Sequence, residues 1–243
     1  MAVNIKNPAV LPISLGRSTA YLIRGKNGHI LVDSGPPGSG KKLLKKLSQE
    51  GISPEQISLV VLTHAHLDHS GALEDILKAG GAKLAVHKDE APALEQEEEL
   101  HLNPVRPLGR LVKAFIGKKR KKGSSEIKPD LVINKELDLK PFGIKGKVVA
   151  TPGHTPGSVT VFLQTGEAIV GDLLMGGMLF RRRRPFYPLF ASDVKQLERS
   201  IRLVLKLKPK LILPAHGGPF TPAQVETKLL QPRRIKRKKA RRG

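Results

Sequence analysis

The chain has 243 residues, enough to bury a core without covalent staples, and carries a formal net charge of +22 from 43 basic and 21 acidic side chains. It has no cysteine, which excludes a disulfide framework, a thiolate metal ligand and a cysteine nucleophile, and leaves histidine and carboxylate as the strong ligands. No run is apolar over the length that spans a bilayer, and no basic segment leads into an apolar one at the start, so a soluble, cytoplasmic protein is expected.

Residues 9–15, 19–24 and 29–33 read as three short strands of a meander, the last two joined by the Lys26-Asn27-Gly28 turn. Leucines at 43, 44 and 47 among lysines give residues 41–49 the period of an amphipathic helix, ended by Gly51. A compact apolar strand over 58–62, a helix over 72–79 and a strand over 83–86 follow. Residues 88 to about 128 break this order with prolines, the acidic run Glu97, Glu98 and Glu99, and a lysine-rich stretch. They read as an inserted helical hairpin or loop of the lid-like kind that shapes access to a site. Strands resume over 145–150, 158–163 and 168–171, then a helix over 194–205 and a strand over 210–213. Two batches of strands, each followed by helices, pack most simply face to face with the helices outside. The expected fold is α/β, a four-layer αββα sandwich of two mixed β-sheets flanked by helices, in one domain over 1–231 with a basic, disordered tail over 232–243.

Three clusters hold seventeen of the positive charges: Lys118, Lys119, Arg120, Lys121 and Lys122; Arg181, Arg182, Arg183 and Arg184; and eight in residues 233–242. Elsewhere the chain is only mildly basic. The terminal run reads as a solvated tail, and the arginine quartet as facing substrate or a partner. Weak nucleic-acid or anionic-surface binding through these clusters is an expectation of charge alone.

The chemistry concentrates in Thr63-His64-Ala65-His66-Leu67-Asp68-His69, directly after the apolar strand. Four potential ligands within six residues would be costly if buried and unpaired, and a divalent cation removes most of that cost. In an extended turn His64 and His66 point the same way, while Asp68 and His69 begin the next helix and can face a second ion. Three later strands end in further donors: His154 in Thr151-Pro152-Gly153-His154-Thr155-Pro156-Gly157, Asp172 after Ile169-Val170-Gly171, and His216 in Leu213-Pro214-Ala215-His216-Gly217. Strand termini are where open sheets gather their binding residues.

On these residues the chain resembles the metallo-β-lactamase superfamily: HxHxDH at 64–69, GHTPG at 153–157, Gly-Asp at 171–172 and Pro-Ala-His-Gly at 214–217. The resemblance covers about residues 10 to 220 and implies that His64, His66 and His154 bind one metal, Asp68, His69 and His216 the other, with Asp172 bridging. Asp33 matches the family's early aspartate that supports the ligands from behind. The implied activity is hydrolysis of an ester, thioester or lactone of a small substrate by a water that two metal ions hold and acidify. Asp68 is the expected orienter and proton acceptor. Zinc is the default cation, and iron or manganese also suit imidazole and carboxylate.

Departures narrow the substrate. β-Lactamases of the superfamily carry cysteine or serine where Asp172 stands, and a secretion signal. Glyoxalase II carries a C-terminal helical region for glutathione, against 27 residues after His216 here. Quorum-quenching lactonases place a tyrosine shortly after the bridging aspartate, where Leu173-Leu174-Met175 stands. The flavin-linked diiron branch has glutamate in the place of His66. The rival reading is a phosphodiesterase or nuclease using the same metals, its basic clusters drawing a nucleic-acid backbone. A non-catalytic binding protein would need a damaged ligand set, and all seven residues are present.

Several features stay outside this reading. Gly35-Pro36-Pro37-Gly38-Ser39-Gly40-Lys41-Lys42 almost spells a nucleotide-binding loop, but Lys42 replaces the hydroxyl that would meet magnesium, so a tight turn is expected. His29, His87 and His101 match no motif and read as surface or satisfied core histidines. Arg106 and Lys113 could meet an anionic substrate or be simply solvated. Phe180, Phe186, Tyr187 and Phe190 read as aromatics that pin a loop, with base stacking as the alternative.

Overall fold

Apolar side chains alternate along the strands between two buried faces, and this decides the layering. The computed structural model describes residues 9–16, 18–95, 104–105, 127–177 and 184–230. In it β1 (Val10–Ser14), β2 (Thr19–Ile23), β3 (His29–Val32), β4 (Ile57–Val61), β5 (Lys83–His87) and β6 (Leu131–Ile133) lie side by side in sequence order. The first three form the antiparallel meander, and β3 to β6 are parallel. A second sheet is built from β7 (Glu136–Asp138), β8 (Gly146–Ala150), β9 (Val159–Leu163), β10 (Glu167–Gly171) and β13 (Leu211–Pro214), in the order β13-β10-β9-β8-β7. Its β10–β13 pair is parallel and the rest antiparallel. The two-residue strands β11 (Met175–Gly176) and β12 (Pro185–Phe186) form a separate antiparallel pair.

Leu59 and Val61 of β4 face the layer between the sheets, with Ile169 of β10 and Leu213 of β13 opposite, while Ile57 and Val60 face an outer layer. That outer layer is closed by α1 (Gly40–Gln49), which buries Leu43 and Leu47, and α3 (Leu73–Gly80), which buries Leu73 and Ile76. On the far side Phe162, Ala168 and Val170 meet Leu197, Ile201 and Val204 of α5 (Val194–Lys206). Short helices α2 (Leu67–Ser70), α4 (Ala91–Glu95) and α6 (Pro222–Val225) and single turns at Pro54–Gln56, Lys140–Phe142 and Glu226–Leu230 complete the described elements. The four layers are the αββα sandwich of two mixed sheets that the strand pattern predicts. No helix among the described residues is long and apolar enough to cross a membrane.

Four strands were not anticipated. β6 and β7 have three residues each, and β11 and β12 two, too few for a period-two pattern to register. β5 and β6 are adjacent and parallel, and a parallel pair requires a long connection rather than a tight turn. Of the insertion, α4 and a bridge between Pro104 and Phe190 are described. Between His216 and the tail at 232–243, where the sequence reading assigns no element, α6 and the turn Glu226–Leu230 pack Val225, Leu229 and Leu230 into the outer layer. Thr221 caps α6 with Gln224 at the third position, a start signal present in the sequence.

Candidate metal centre

The first ligand-bearing loop leaves β4 and is fixed by Asp33, at the end of β3. Its positive φ of 62° aims the carboxylate sideways, where it accepts Thr63 N–H at 2.8 Å, Thr63 Oγ1–H at 2.8 Å and His69 Nδ1–H at 2.7 Å. Ser34 and Gly35 both donate their N–H to His69 O, at 2.7 and 3.2 Å, and Gly71 N–H donates to Gly35 O at 2.9 Å. The glycine- and proline-rich stretch after β3 thus clasps α2. Ser39 Oγ turns inward to Ser34 O and Pro36 O, so this is the tight turn expected, occupied with its own chain.

The other three donors end strands of the second sheet. His154 sits in the turn after β8, where Gly153 has φ +134° and a Cβ would lie 2.3 Å from Leu197 N. Its Nδ1–H donates to Phe190 O at 2.8 Å. Asp172 follows Gly171, whose φ is +52° and whose Cβ would lie 2.6 Å from Thr63 Oγ1. His216 follows β13, and Tyr21 from the first sheet reaches across to donate to Pro214 O at 2.7 Å.

These donors converge in two sets. His64 Nε2, His66 Nδ1 and His154 Nε2 lie 3.0 to 3.2 Å apart pairwise. Since the Nδ1 of His154 carries the proton given to Phe190, its Nε2 presents a lone pair in the neutral ring. Beside them, His216 Nε2 is 3.2 Å from Asp68 Oδ2, and His69 Nε2 is 3.9 Å from the same oxygen. Asp172 lies between the sets: Oδ1 is 3.5 Å from His69 Nε2 and 3.4 Å from His216 Nε2, while Oδ2 is 3.8 Å from His154 Nε2. His64–His66–His154, His64–His69–Asp172 and Asp68–His69–His216 each bring one donor atom per residue within 4.8 Å of one another.

The residues fit divalent cations on one direct observation. His69 Nε2 and Asp172 Oδ1 are buried side-chain atoms with no hydrogen-bond partner. An orphaned buried group of this kind costs about 1–3 kcal/mol, more when charged, and a cation between these two atoms would satisfy both. Electrostatics divides the sets. Burial, joined by the neighbouring rings, pushes His64 well below the ordinary imidazole range, and burial also lowers His154 and takes His66 down to about 3. On the other side burial is outweighed by carboxylates: Asp33 and Asp172 carry His69 well above its usual value, and Asp172 with Asp68 lifts His216 to about 9. Against burial, His216 and His69 hold Asp68 down to about 2.

The reading by motif missed Glu90, which follows β5 and is 3% exposed. Its Oε2 accepts Ala65 N–H at 2.7 Å and its Oε1 accepts Gly157 N–H at 3.0 Å. His87 is a satisfied core histidine, accepting Asp89 N–H at Nδ1 (3.2 Å) and donating from Nε2 to Asn134 O (2.9 Å), and His29 is half-buried, accepting Gly25 N–H at 3.3 Å. Phe190 is buried beside His154, and Tyr187 OH donates to Glu198 Oε1 at 2.8 Å, consistent with a pinned loop. The Arg184 guanidinium lies 5.4 Å from the centre of the Phe186 ring. His101, Arg106, Lys113, Phe180, the lysine-rich 118–122 stretch, residues 181–183 and the tail lie outside the described residues.

A profile of the metallo-beta-lactamase superfamily matches residues 13–216. The chain is 29% identical over 203 residues to "Probable metallo-hydrolase YflN" of Bacillus subtilis, covering 79% of this chain and 76% of that protein. It is 29% identical over 204 residues to "Probable metallo-hydrolase MJ0888" of Methanocaldococcus jannaschii, covering 82% and 87%. Among solved structures, TTHA1623 in a di-iron-bound form matches with a TM-score of 0.62 and 28% identity over 90% of this chain and 98% of that one. The BLEG-1 B3 metallo-beta-lactamase matches with a TM-score of 0.65 and 23% identity, over 90% and 96%, a likeness of fold.

Proposed function

The chain belongs to the metallo-β-lactamase superfamily, and from there we propose that it is a hydrolase that works with two divalent cations on an ester, thioester or lactone of a small substrate. The observation that carries the reading is the two donor sets with Asp172 between them, and two buried donor atoms left without a hydrogen bond. His64, His66 and His154 would hold one cation, Asp68, His69 and His216 the other, with Asp172 between them. Bound there, the cations supply Lewis acidity and a water acidic enough to ionise near neutral pH. Nitrogen and carboxylate donors suit zinc, iron and manganese, and the di-iron-bound relative supports iron alongside zinc.

The chain's own residues divide the remaining work. In the neutral ring His69 would offer its Nε2 lone pair to a cation because Asp33 accepts its Nδ1–H, and His154 would do so because Phe190 O accepts its own. Asp68 is 41% exposed at the side chain, so it reaches the mouth of the site while still touching His216. Held as a carboxylate, it orients the attacking water and accepts its proton. Asp172 is buried and carries the charge that balances the centre. A test starts with metal content per chain, followed by turnover of p-nitrophenyl esters, S-lactoylglutathione and lactones. Two tightly bound ions and chelator-sensitive turnover are expected, and protein that retains no metal would overturn the reading.

One observation favours phosphodiester cleavage as a second reading. Lys195, Arg199, Arg202 and Lys206 are exposed on α5, at spacings that align them in one stripe opposite buried Leu197, Ile201 and Val204. The helix starts at the site: Ser192 N–H donates to His154 O at 2.9 Å and Asp193 N–H to Gly153 O at 3.0 Å. A cationic stripe leaving the mouth suits a phosphate backbone, with affinity falling steeply as salt rises. Cleavage of bis-p-nitrophenyl phosphate or labelled RNA faster than esters would promote this reading, and slow, salt-insensitive cleavage would remove it.

A further inference from the structure

We propose that Glu90 is a positioning residue that sets the distance between the His64/His66 loop and the His154 turn, and so the geometry of one donor set and not the other. The proposal rests on the metal-centre reading above. Ala65, whose N–H Glu90 accepts, lies between His64 and His66; Gly157, the second donor, closes the turn that presents His154. The two loops come from different sheets. A single buried carboxylate therefore ties together the segments that carry all three residues of the His64–His66–His154 set. In the other set His69 is held by Asp33, the Asp68 backbone by Ser18 Oγ, and the strand end before His216 by Tyr21, and none of these contacts involves Glu90.

The chemistry of the tie is specific. Each carboxylate oxygen takes one backbone N–H, an arrangement an amide cannot reproduce, because one of its two heads is itself a donor. Asp at this position would be one methylene, about 1.5 Å, too short. Gly157 makes room for the side chain, since a Cβ there would lie 2.6 Å from Glu90 Cγ and 2.9 Å from Oε1. Burying a carboxylate is expensive where its hydrogen bonds are incomplete. An apolar filler would hold the volume without that cost, and only a carboxylate sets the spacing of two N–H groups.

The test is titration of the metal-free protein with cobalt(II), followed by absorption and calorimetry, in wild type and Glu90→Gln. Wild type is expected to show two binding events. Glu90→Gln is expected to weaken one by about 10–100-fold, in the range seen when partners of metal ligands are removed, and to leave the other unchanged. Equal weakening of both events would mark Glu90 as a general structural prop, and an unchanged pair would show that the tie sets nothing; either overturns the proposal. Wild type that binds no cobalt overturns the metal-centre reading itself. Where Glu90→Gln folds poorly, Gly157→Ala pushes on the same contact from the other side and is expected to give the same selective loss. Amide exchange on metal-free protein supplies a readout independent of metal: residues 63–67 and 153–158 should exchange faster together in Glu90→Gln, and unaltered exchange counts against the tie.

Discussion

Asparagine is nearly isosteric with aspartate and tolerates the positive φ of 62° that residue 33 adopts, so Asp33→Asn leaves volume and backbone strain alone. What it changes is one oxygen of two. Oδ1 receives Thr63 N–H, and Oδ2 receives the Thr63 hydroxyl and His69 Nδ1–H. An asparagine that keeps its oxygen on the Thr63 amide turns its NH2 toward His69. The imidazole then takes its other tautomer, with the proton on Nε2, the atom that faces Asp68 and Asp172. A hydrogen bond to a charged group is worth about 1.5–3 kcal/mol, so the metal-free protein should melt about 3–12 °C lower at this chain length. With its lone pair masked, the set of Asp68, His69 and His216 should lose about 10–100-fold in metal affinity, while the set of His64, His66 and His154 keeps its own. Thermal unfolding by circular dichroism on metal-free protein and metal content after dialysis against graded free zinc measure the two effects. Full occupancy of both sites at wild-type affinity would refute the tautomer argument, and equal loss at both would show that Asp33 acts on the fold alone.

Asp68→Asn is expected to cut turnover by about 100-fold or more while the melting midpoint stays close to wild type; unchanged turnover would end its assigned role. Gly171→Ala places a methyl 2.6 Å from Thr63 Oγ1 at a φ of +52° and should cost about 1–3 kcal/mol in urea unfolding, so a variant as stable as wild type would contradict the close approach. Metal uptake should depend on pH at one set only. In the metal-free protein His216 titrates at about 9 and His69 above its usual range, so both must release protons to bind a cation. Uptake at their set therefore strengthens as pH rises toward about 9, by about tenfold per pH unit per proton displaced. His66, at about 3, and the lowered His64 and His154 are already neutral, so their set should take up metal equally well across pH ~6–9. Calorimetry showing the same pH slope for both events would reject this division.

That these seven side chains come together was legible because each occupies a place that chain geometry makes special. Four share one heptapeptide, and the other three each end an apolar strand. Layering was legible because the strands come in two batches, each followed by helices; the irregularity in β4, where Ile57 and Leu59 face different layers, left no mark in the sequence. What escaped was set by partners distant in sequence. Glu90 sits in Lys88-Asp89-Glu90 like any surface glutamate, and its hydrogen-bond partners are 25 and 67 residues away. Thr63 stands in plain view before the first histidine, yet its role in joining Asp33 to the loop depends on a neighbouring strand. The loop at 35–42 was legible as a tight turn because Lys42 stands where a hydroxyl would be needed, but its contact with α2, through Gly35 and His69 O, was not, since that partner lies 34 residues on.

Every donor set draws on both halves of the sandwich, His64 and His66 against His154, Asp68 and His69 against His216. The layer between the sheets is apolar, and such layers accept substitutions of similar volume with modest loss. Coordination is far less forgiving, since ligand distances hold within about 0.2 Å. On the proposed two-cation reading, a conservative change at buried Val61, Ile169 or Leu213 would leave the protein folded and still shift one half relative to the other enough to unseat an ion. Inherited variation in this interior would then be screened by occupancy of the centre well before it is screened by unfolding.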